Sequence, residues 1–218
     1  MLFLQMGIFA FILFAISEIC TVAEKPVVAR PLFFIGVTLL GVSSCAITAK
    51  RVVQVARQAA TQAETGGILI GSLEIGRMIF FGILALLCFG LLIYSLFFAI
   101  PFTKTYIDSD VKQKKVCRDG MYALCRHPGV LWFIGVYLFL WLSLGGELLF
   151  AQFVIYSALN VLYIIIQDNW SFLKCFDDYA EYKKETPFLI PNRKSMMRCV
   201  DTFKRSKDIS KHRSKRGL

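Results

Sequence analysis

Five stretches of this chain are apolar enough to lie in a lipid bilayer, and that pattern restricts the fold more than any other feature. A helix needs about 20 mostly apolar residues to cross the hydrocarbon core. Residues 2–19, 31–49, 78–100 and 148–166 meet that length or come close, and residues 130–144 fall short of it. Backbone polar groups find no water in hydrocarbon, so each stretch must satisfy its own N–H and C=O groups, as a helix does. A hydrophobic share of 56% and a mean hydropathy of +0.60 exceed what soluble domains carry. The first stretch lacks a basic leader, and Ser17-Glu18-Ile19-Cys20 is a poor small-residue cleavage site, so it reads as a retained helix and not a signal peptide. Only Ser143-Leu144-Gly145-Gly146-Glu147 separates the fourth and fifth stretches, a tight reversal that predicts a helical hairpin. The expected fold is an all-α integral membrane protein. It has about five transmembrane helices, a helical hairpin, and a C-terminal amphipathic helix on the cytosolic side.

The net charge of +10 is distributed unevenly along this frame. Two Lys or Arg lie between the first and second stretches, four between the second and third, and six between the third and fourth. None lies between the fourth and fifth, and thirteen follow the fifth. With five crossings, one side collects twenty-one and the other four. The excess of Lys and Arg marks the cytoplasmic side. The N-terminus is therefore expected outside, and His127 and the C-terminus in the cytoplasm of a bacterial inner membrane or the endoplasmic reticulum. Most of the basic excess flanks the spans or lies in 204–216, where attraction to anionic headgroups is the ordinary explanation. No aromatic pattern for base stacking accompanies it, so nucleic acid is not an expected partner. Seven cysteines show no metal-type spacing, and no His/Cys/Asp cluster supports a metal site. Cys45 and Cys88 read as small packing residues, and packing is also the expected role of Cys125.

One membrane domain over 1–191, with a cofactor-site half over 101–191, is expected to precede a basic, mobile tail over 192–218. Residues 50–67 form a polar connector that reads as helical up to Gly66-Gly67. Glu74 and Arg77 share a helix face and are expected to pair. Gly67 and Gly71 have a spacing that permits close helix packing. In the fifth span Ser157, Asn160, Ile164, Gln167 and Asp168 fall near one face, which should look into the bundle. After that span Phe172, Leu173, Phe176, Tyr179 and Ala180 line one side of an amphipathic helix that Thr186-Pro187 ends. Phe188-Leu189-Ile190-Pro191 is then an apolar patch in need of a partner.

The chemistry-bearing residues concentrate in two places. Arg126-His127-Pro128 sits at the mouth of the fourth span, and His127 is one of two histidines. Gln167-Asp168 sits at the end of the fifth. Titratable groups at membrane boundaries often mark a ligand site. The alternative is an interfacial cluster in which Arg126 anchors to headgroups and Pro128 starts a helix.

Gly120-Met121-Tyr122, Arg126-His127-Pro128, a short hairpin, Asp168, the Tyr179-x-x-Tyr182 helix and Ile190-Pro191 follow in that order. Over roughly residues 117–191 this order resembles the integral-membrane methyltransferases of the isoprenylcysteine carboxyl methyltransferase and phospholipid methyltransferase group. The resemblance implies a cytosolic pocket for S-adenosylmethionine beneath a tunnel for a lipid-like or membrane-delivered acceptor. It implies that His127 and Arg126 contact the cofactor, and that Tyr122 and Pro128 shape the pocket entrance. Asp168, with Gln167, would face the cofactor or acceptor, and Tyr179 with Ile190 and Pro191 would cap the pocket. On this reading Arg126 and Asp168 are the catalytic candidates. The chain departs from the family pattern at Val130 and Trp132, and at Gln167-Asp168 or, shifted by one, Asp168-Asn169, where members carry a Glu-Glu pair.

Chemistry is consistent with those roles. Methyl transfer from a sulfonium chiefly requires alignment of donor, methyl and nucleophile. A carboxylate such as Asp168 suits the cofactor's ammonium or the proton of an amine acceptor. Arg126 or His127 suits its carboxylate. No glycine-rich turn follows a strand, which excludes a Rossmann-type site. Two other readings remain: a reductase of the sterol-reductase type using reduced nicotinamide dinucleotide phosphate, with Arg118, Lys114 and Lys115 near its phosphates, and a non-catalytic relative that binds lipid or a partner. The oligomeric state is not legible in the sequence.

Overall fold

A computed structural model describes residues 1–64, 68–98 and 115–215, with side chains described outside 62–72, 97–98 and 205–215. Gly66-Gly67, the Gly67/Gly71 spacing, the end of the third stretch, the start of the 101–191 half and Lys114 lie outside the described residues. The described residues are mostly helical and contain no strand. In chain order the helices are α1 (Leu2–Val22), α2 (Pro26–Glu64), α3 (Ile68–Ile93), α4 (Met121–Leu124), α5 (Pro128–Leu144), α6 (Glu147–Ile166), α7 (Phe172–Cys175), α8 (Tyr179–Glu185) and α9 (Arg193–Lys215). Wider π-helical turns follow α3 (Tyr94–Phe98) and α6 (Gln167–Ser171). Among the described residues, four segments are long and apolar enough to cross a membrane, and α5 is a shorter apolar helix of 17 residues. The apolar surface agrees: on α3, Leu73, Phe80, Ile83 and Leu86 are exposed, Leu86 by 72%. Water does not tolerate a contiguous apolar face of that extent, whereas lipid solvates it.

The chain divides into two compact units. The first combines Met1–Gly90 with Trp132–Ser171. In it α1 and α2 run antiparallel. The Ser17 hydroxyl donates to Ala29 O (2.8 Å) beside the connecting turn, and Ser43 donates to Phe3 O (2.6 Å) at the far end. The Tyr156 hydroxyl of α6 meets Ser43 at 2.6 Å. That contact requires Gly7, because a Cβ there would lie 1.8 Å from the Tyr156 oxygen. Phe11, Phe133, Tyr137 and Tyr156 pack edge-on or tilted around this point. A second polar chain runs from Gln152 Nε2 to Ser44 (3.2 Å) and from Ser44 to Tyr137 (2.7 Å). In an apolar medium such pairs hold helices in register more than they add net stability.

The end of α5 shows why a 17-residue helix stops where it does. Gly145 (φ 65°) and Gly146 (φ 95°) take the left-handed backbone that a side chain resists, turning the chain into α6. The carbonyls this releases are met by arginines. Arg51 Nε donates to Leu144 O (3.0 Å) and Gly145 O (3.1 Å), and Arg77 donates to Leu142 O. Cations at a helix C-terminus are favourable by about 0.3–1 kcal/mol each, more when partly buried. The expected Glu74–Arg77 pair forms at 2.9 Å. The 50–64 part of the polar connector continues α2 without interruption.

One sequence expectation is displaced in this unit. The inward face of α6 carries Leu149, Gln152 and Tyr156, and continues through Tyr163 to Gln167. It is rotated from the expected Ser157–Asn160–Ile164 face, although Gln167 lies on the observed face and Asp168 is buried. The reason is physical: the hydroxyls of Tyr156 and Tyr163 supply inward polar contacts on the observed face.

The second unit combines Leu91–Leu131 with Phe172–Leu218. Asp178 ties its strands of chain together: Oδ1 accepts from Val116 N (2.9 Å), and Oδ2 accepts from Arg118 (3.1 Å). The expected continuous amphipathic helix is broken into α7 and α8 at 176–178, and α8 ends at Thr186 in extended backbone ahead of Pro187. Residues 192–218, expected as a mobile tail, carry α9. Asn192 and Ser195 cap it reciprocally, Ser195 N donating to Asn192 Oδ1 (2.8 Å) and Asn192 N to Ser195 Oγ (3.0 Å). Thr202 Oγ1 accepts from Gly120 N at 3.0 Å and fastens α9 to the start of α4.

Candidate functional site

In the second unit, Cys125 in extended backbone carries the chain from α4 to Pro128, which opens α5 at the position where a missing N–H costs nothing. Arg126 and His127 are thereby held between two helix ends, and both are buried. Arg126 is fastened at three points. Its backbone N donates to Pro187 O (2.9 Å), and Nη1 donates to Lys183 O (2.8 Å) and Thr186 O (2.7 Å). Its guanidinium carbon also lies 5.5 Å from the centre of the Phe188 ring. The guanidinium therefore collects the carbonyls released where α8 ends.

His127 sits among aromatic rings. Phe172 stacks on it at 5.9 Å, Phe188 meets it edge-on at 5.2 Å, and Tyr179 OH lies 3.5 Å from Nε2, the outer limit of a hydrogen bond. Phe176 and Tyr179 extend the ring cluster, and Tyr179 contacts Tyr182. Tyr182 donates to Tyr122 O at 2.6 Å, and Tyr122 OH donates to Ser95 O at 3.0 Å. Burial raises the pKa of the Tyr182 hydroxyl, so it stays a donor throughout the accessible range. Burial likewise pushes the Cys125 thiol up to about 11, which matches the expected packing role.

The structure therefore brings Tyr122, Arg126, His127, Pro128 and Tyr179 into one cluster. Ile190 is 83% exposed and Pro191 is half-buried, and the residue of that patch that reaches His127 is Phe188. Thr186 also lines a cleft of about 210 Å³ with Arg118, Glu185, Arg198 and Asp201. That volume falls below the range usual for small-molecule sites, and its arginines are already paired with Glu185, so no cofactor is assigned there.

Gln167 and Asp168 belong to the first unit, in the π-helical turn, and both are buried. Their surroundings contain a residue that the sequence reading passed over. Glu18 of α1 is buried, and Oε2 accepts from Tyr163 OH (3.0 Å) and Gln167 Nε2 (2.8 Å). Its Oε1 accepts from Ser171 Oγ. Gln167 also donates to Tyr163 OH at 3.0 Å. A carboxylate within an apolar helix costs about 2.5–3.5 kcal/mol on insertion scales. It is retained where several donors face it. The sequence signal was present: Glu18 is the only carboxylate in the first stretch, and Tyr163, Gln167 and Ser171 recur at a spacing of four.

No family model, no curated protein and no solved structure matches this chain.

Proposed function

We propose that the chain is an integral-membrane methyltransferase that uses S-adenosylmethionine and acts on a lipid-like or membrane-delivered acceptor. The observation that carries this reading is the convergence on His127. The Tyr179 hydroxyl, 52 residues on in sequence, and the rings of Phe172 and Phe188 meet there, and Tyr122, Arg126, His127 and Tyr179 belong to the segments whose motifs resemble the membrane methyltransferases. The residues fit the cofactor's chemistry. Aromatic faces suit both an adenine ring and a sulfonium cation. The imidazole and the Tyr179 hydroxyl suit polar groups of the nucleoside. When bound, the cofactor supplies a methyl group on a cationic sulfur, ready for displacement. The chain's own part is to orient that group, exclude water, and offer a carboxylate, Asp168, for an amine acceptor's proton.

The same reading includes five spans, with α5 and α6 as a hairpin. Arg51 and Arg77, from the α2 and α3 region, meet the end of α5. That supports an arrangement in which the α2–α3 and α5–α6 connections share one side, as five crossings require. The charge bias then puts His127 and the C-terminus in the cytoplasm. A non-catalytic relative that binds lipid or a partner is the second reading. It is favoured by Arg126, whose Nη1 serves backbone carbonyls. The reductase reading has less support, because Arg118 is engaged by Asp178.

Calorimetry of the detergent-solubilised chain with S-adenosylmethionine, and with reduced nicotinamide dinucleotide phosphate as control, tests the proposal. Binding of the first alone is expected, weakened tenfold or more in His127→Ala and in Asp168→Ala. Binding of neither by folded protein refutes it in favour of the non-catalytic reading.

A further inference from the structure

We propose that Glu18 is a positioning residue for the candidate site: it holds the π-helical turn Gln167–Ser171 closed and so sets where Asp168 stands. The inference rests on the functional reading above for what Asp168 does, and on geometry alone for what Glu18 does. A π-helical turn is one residue wider than an α-helical turn, is rare, and is found frequently at functional sites. Here it spans five residues, and the Glu18 carboxylate bridges its two ends. Oε2 accepts from Gln167, the first residue, and Oε1 accepts from Ser171, the last. The third donor, Tyr163, stands one helical turn before Gln167 and is itself bonded to it. Asp168 immediately follows Gln167 and is 2% exposed. One side chain from α1 therefore fixes the dihedral path of the segment that carries Asp168. A neutral polar residue would not do the same, because three donors converge on the position and only a carboxylate offers acceptors on both oxygens.

The experiment combines hydrogen exchange with ligand binding on the whole chain in detergent, comparing wild type, E18Q, S171A, D168A and the exchange variant E18Q/Q167E. E18Q keeps the size but turns one acceptor oxygen into an NH2 donor, so one of the three bonds is lost or a hydroxyl has to turn and accept. Exchange of the amides over 167–172 is expected to rise tenfold or more, with a smaller rise in S171A, which also serves if E18Q does not fold. Returning a carboxylate to the pair from the other side, in E18Q/Q167E, is expected to bring exchange back to within threefold of wild type. Affinity for S-adenosylmethionine is expected to fall in E18Q and D168A and to recover in the exchange variant. Unchanged exchange over 167–172 in folded E18Q, or in S171A where E18Q does not fold, overturns the proposal. So does an affinity lost in D168A but kept in E18Q. If exchange rises while neither variant alters affinity, the methyltransferase reading fails and Glu18's hold on the turn stands.

Discussion

Replacing Arg126 by methionine separates two roles that the sequence leaves joined. Methionine keeps an unbranched apolar stem against Phe188 and removes the guanidinium. The bonds lost include those from Nη1 to Lys183 O and Thr186 O, at 2.8 and 2.7 Å. The backbone bond from Arg126 N to Pro187 O remains. Hydrogen bonds to charged donors contribute about 1.5–3 kcal/mol each, and a buried carbonyl left without a partner costs a similar amount. The two together make the local opening of 183–188 easier by about 3–5 kcal/mol. At tenfold per 1.4 kcal/mol, about 3 kcal/mol corresponds to more than a hundredfold faster exchange.

Native-state hydrogen exchange in detergent reads this directly at the amides of Arg126 and Thr186. The first donates to Pro187 O and the second to Tyr182 O. Arg126→Lys restores a charged donor to one carbonyl and not to both in the same geometry, so it should recover about half the loss. The reasoning is refuted if protection at both amides is unchanged in Arg126→Met while S-adenosylmethionine affinity collapses. That result would make the guanidinium a ligand-binding group whose carbonyl contacts are incidental.

Gly7→Ala should lower the thermal midpoint in detergent, with overpacking of about 1–3 kcal/mol, because its Cβ would lie 1.8 Å from the Tyr156 oxygen. An unchanged midpoint would mean α1 and α6 do not meet as described. Tyr182→Phe leaves Tyr122 O without its 2.6 Å donor and should cost about 1–3 kcal/mol in denaturant titration. Cys125 should alkylate about a hundredfold more slowly at pH 8 than a thiol at the ordinary value of about 9. Because its folded pKa is raised, the associated stability is complete below about pH 9. It is lost as pH rises toward about 11, which an unfolding series from pH 8 to 11 would detect.

The helices were legible because the bilayer imposes one simple demand, an apolar run of sufficient length. The boundaries of α1 and α6 and the shortness of α5 follow from it. Two features were not legible, for different reasons. Helix α9 looks like a polar tail by composition. Its order at the near end depends on the Asn192–Ser195 cap and on a single hydroxyl, Thr202, reaching Gly120 N. Neither leaves a periodic trace in hydropathy. The break between α7 and α8 is equally local, since a stripe at helical spacing is unaffected by three residues at 176–178 that turn out of the helix.

Site residues divide along the same line. Arg126, His127, Tyr122 and Tyr179 announce themselves as polar groups beside a span, and they converge in the structure. What they do when they converge is set by partners that sequence position does not reveal. The carbonyls of Lys183 and Thr186 exist as acceptors only because α8 stops there, and a backbone carbonyl has no residue type to notice. Glu18 is the opposite case: the residue type is conspicuous, but its meaning lies on another helix, about 150 positions away. A carboxylate in hydrocarbon demands several donors, and that demand, applied to the sequence, narrows the search to a face with repeated hydroxyl and amide groups. Tyr163, Gln167 and Ser171 are such a face. Balancing each buried charge against the donors required to keep it would thus have linked α1 to the end of α6, where counting hydrophobic residues could not.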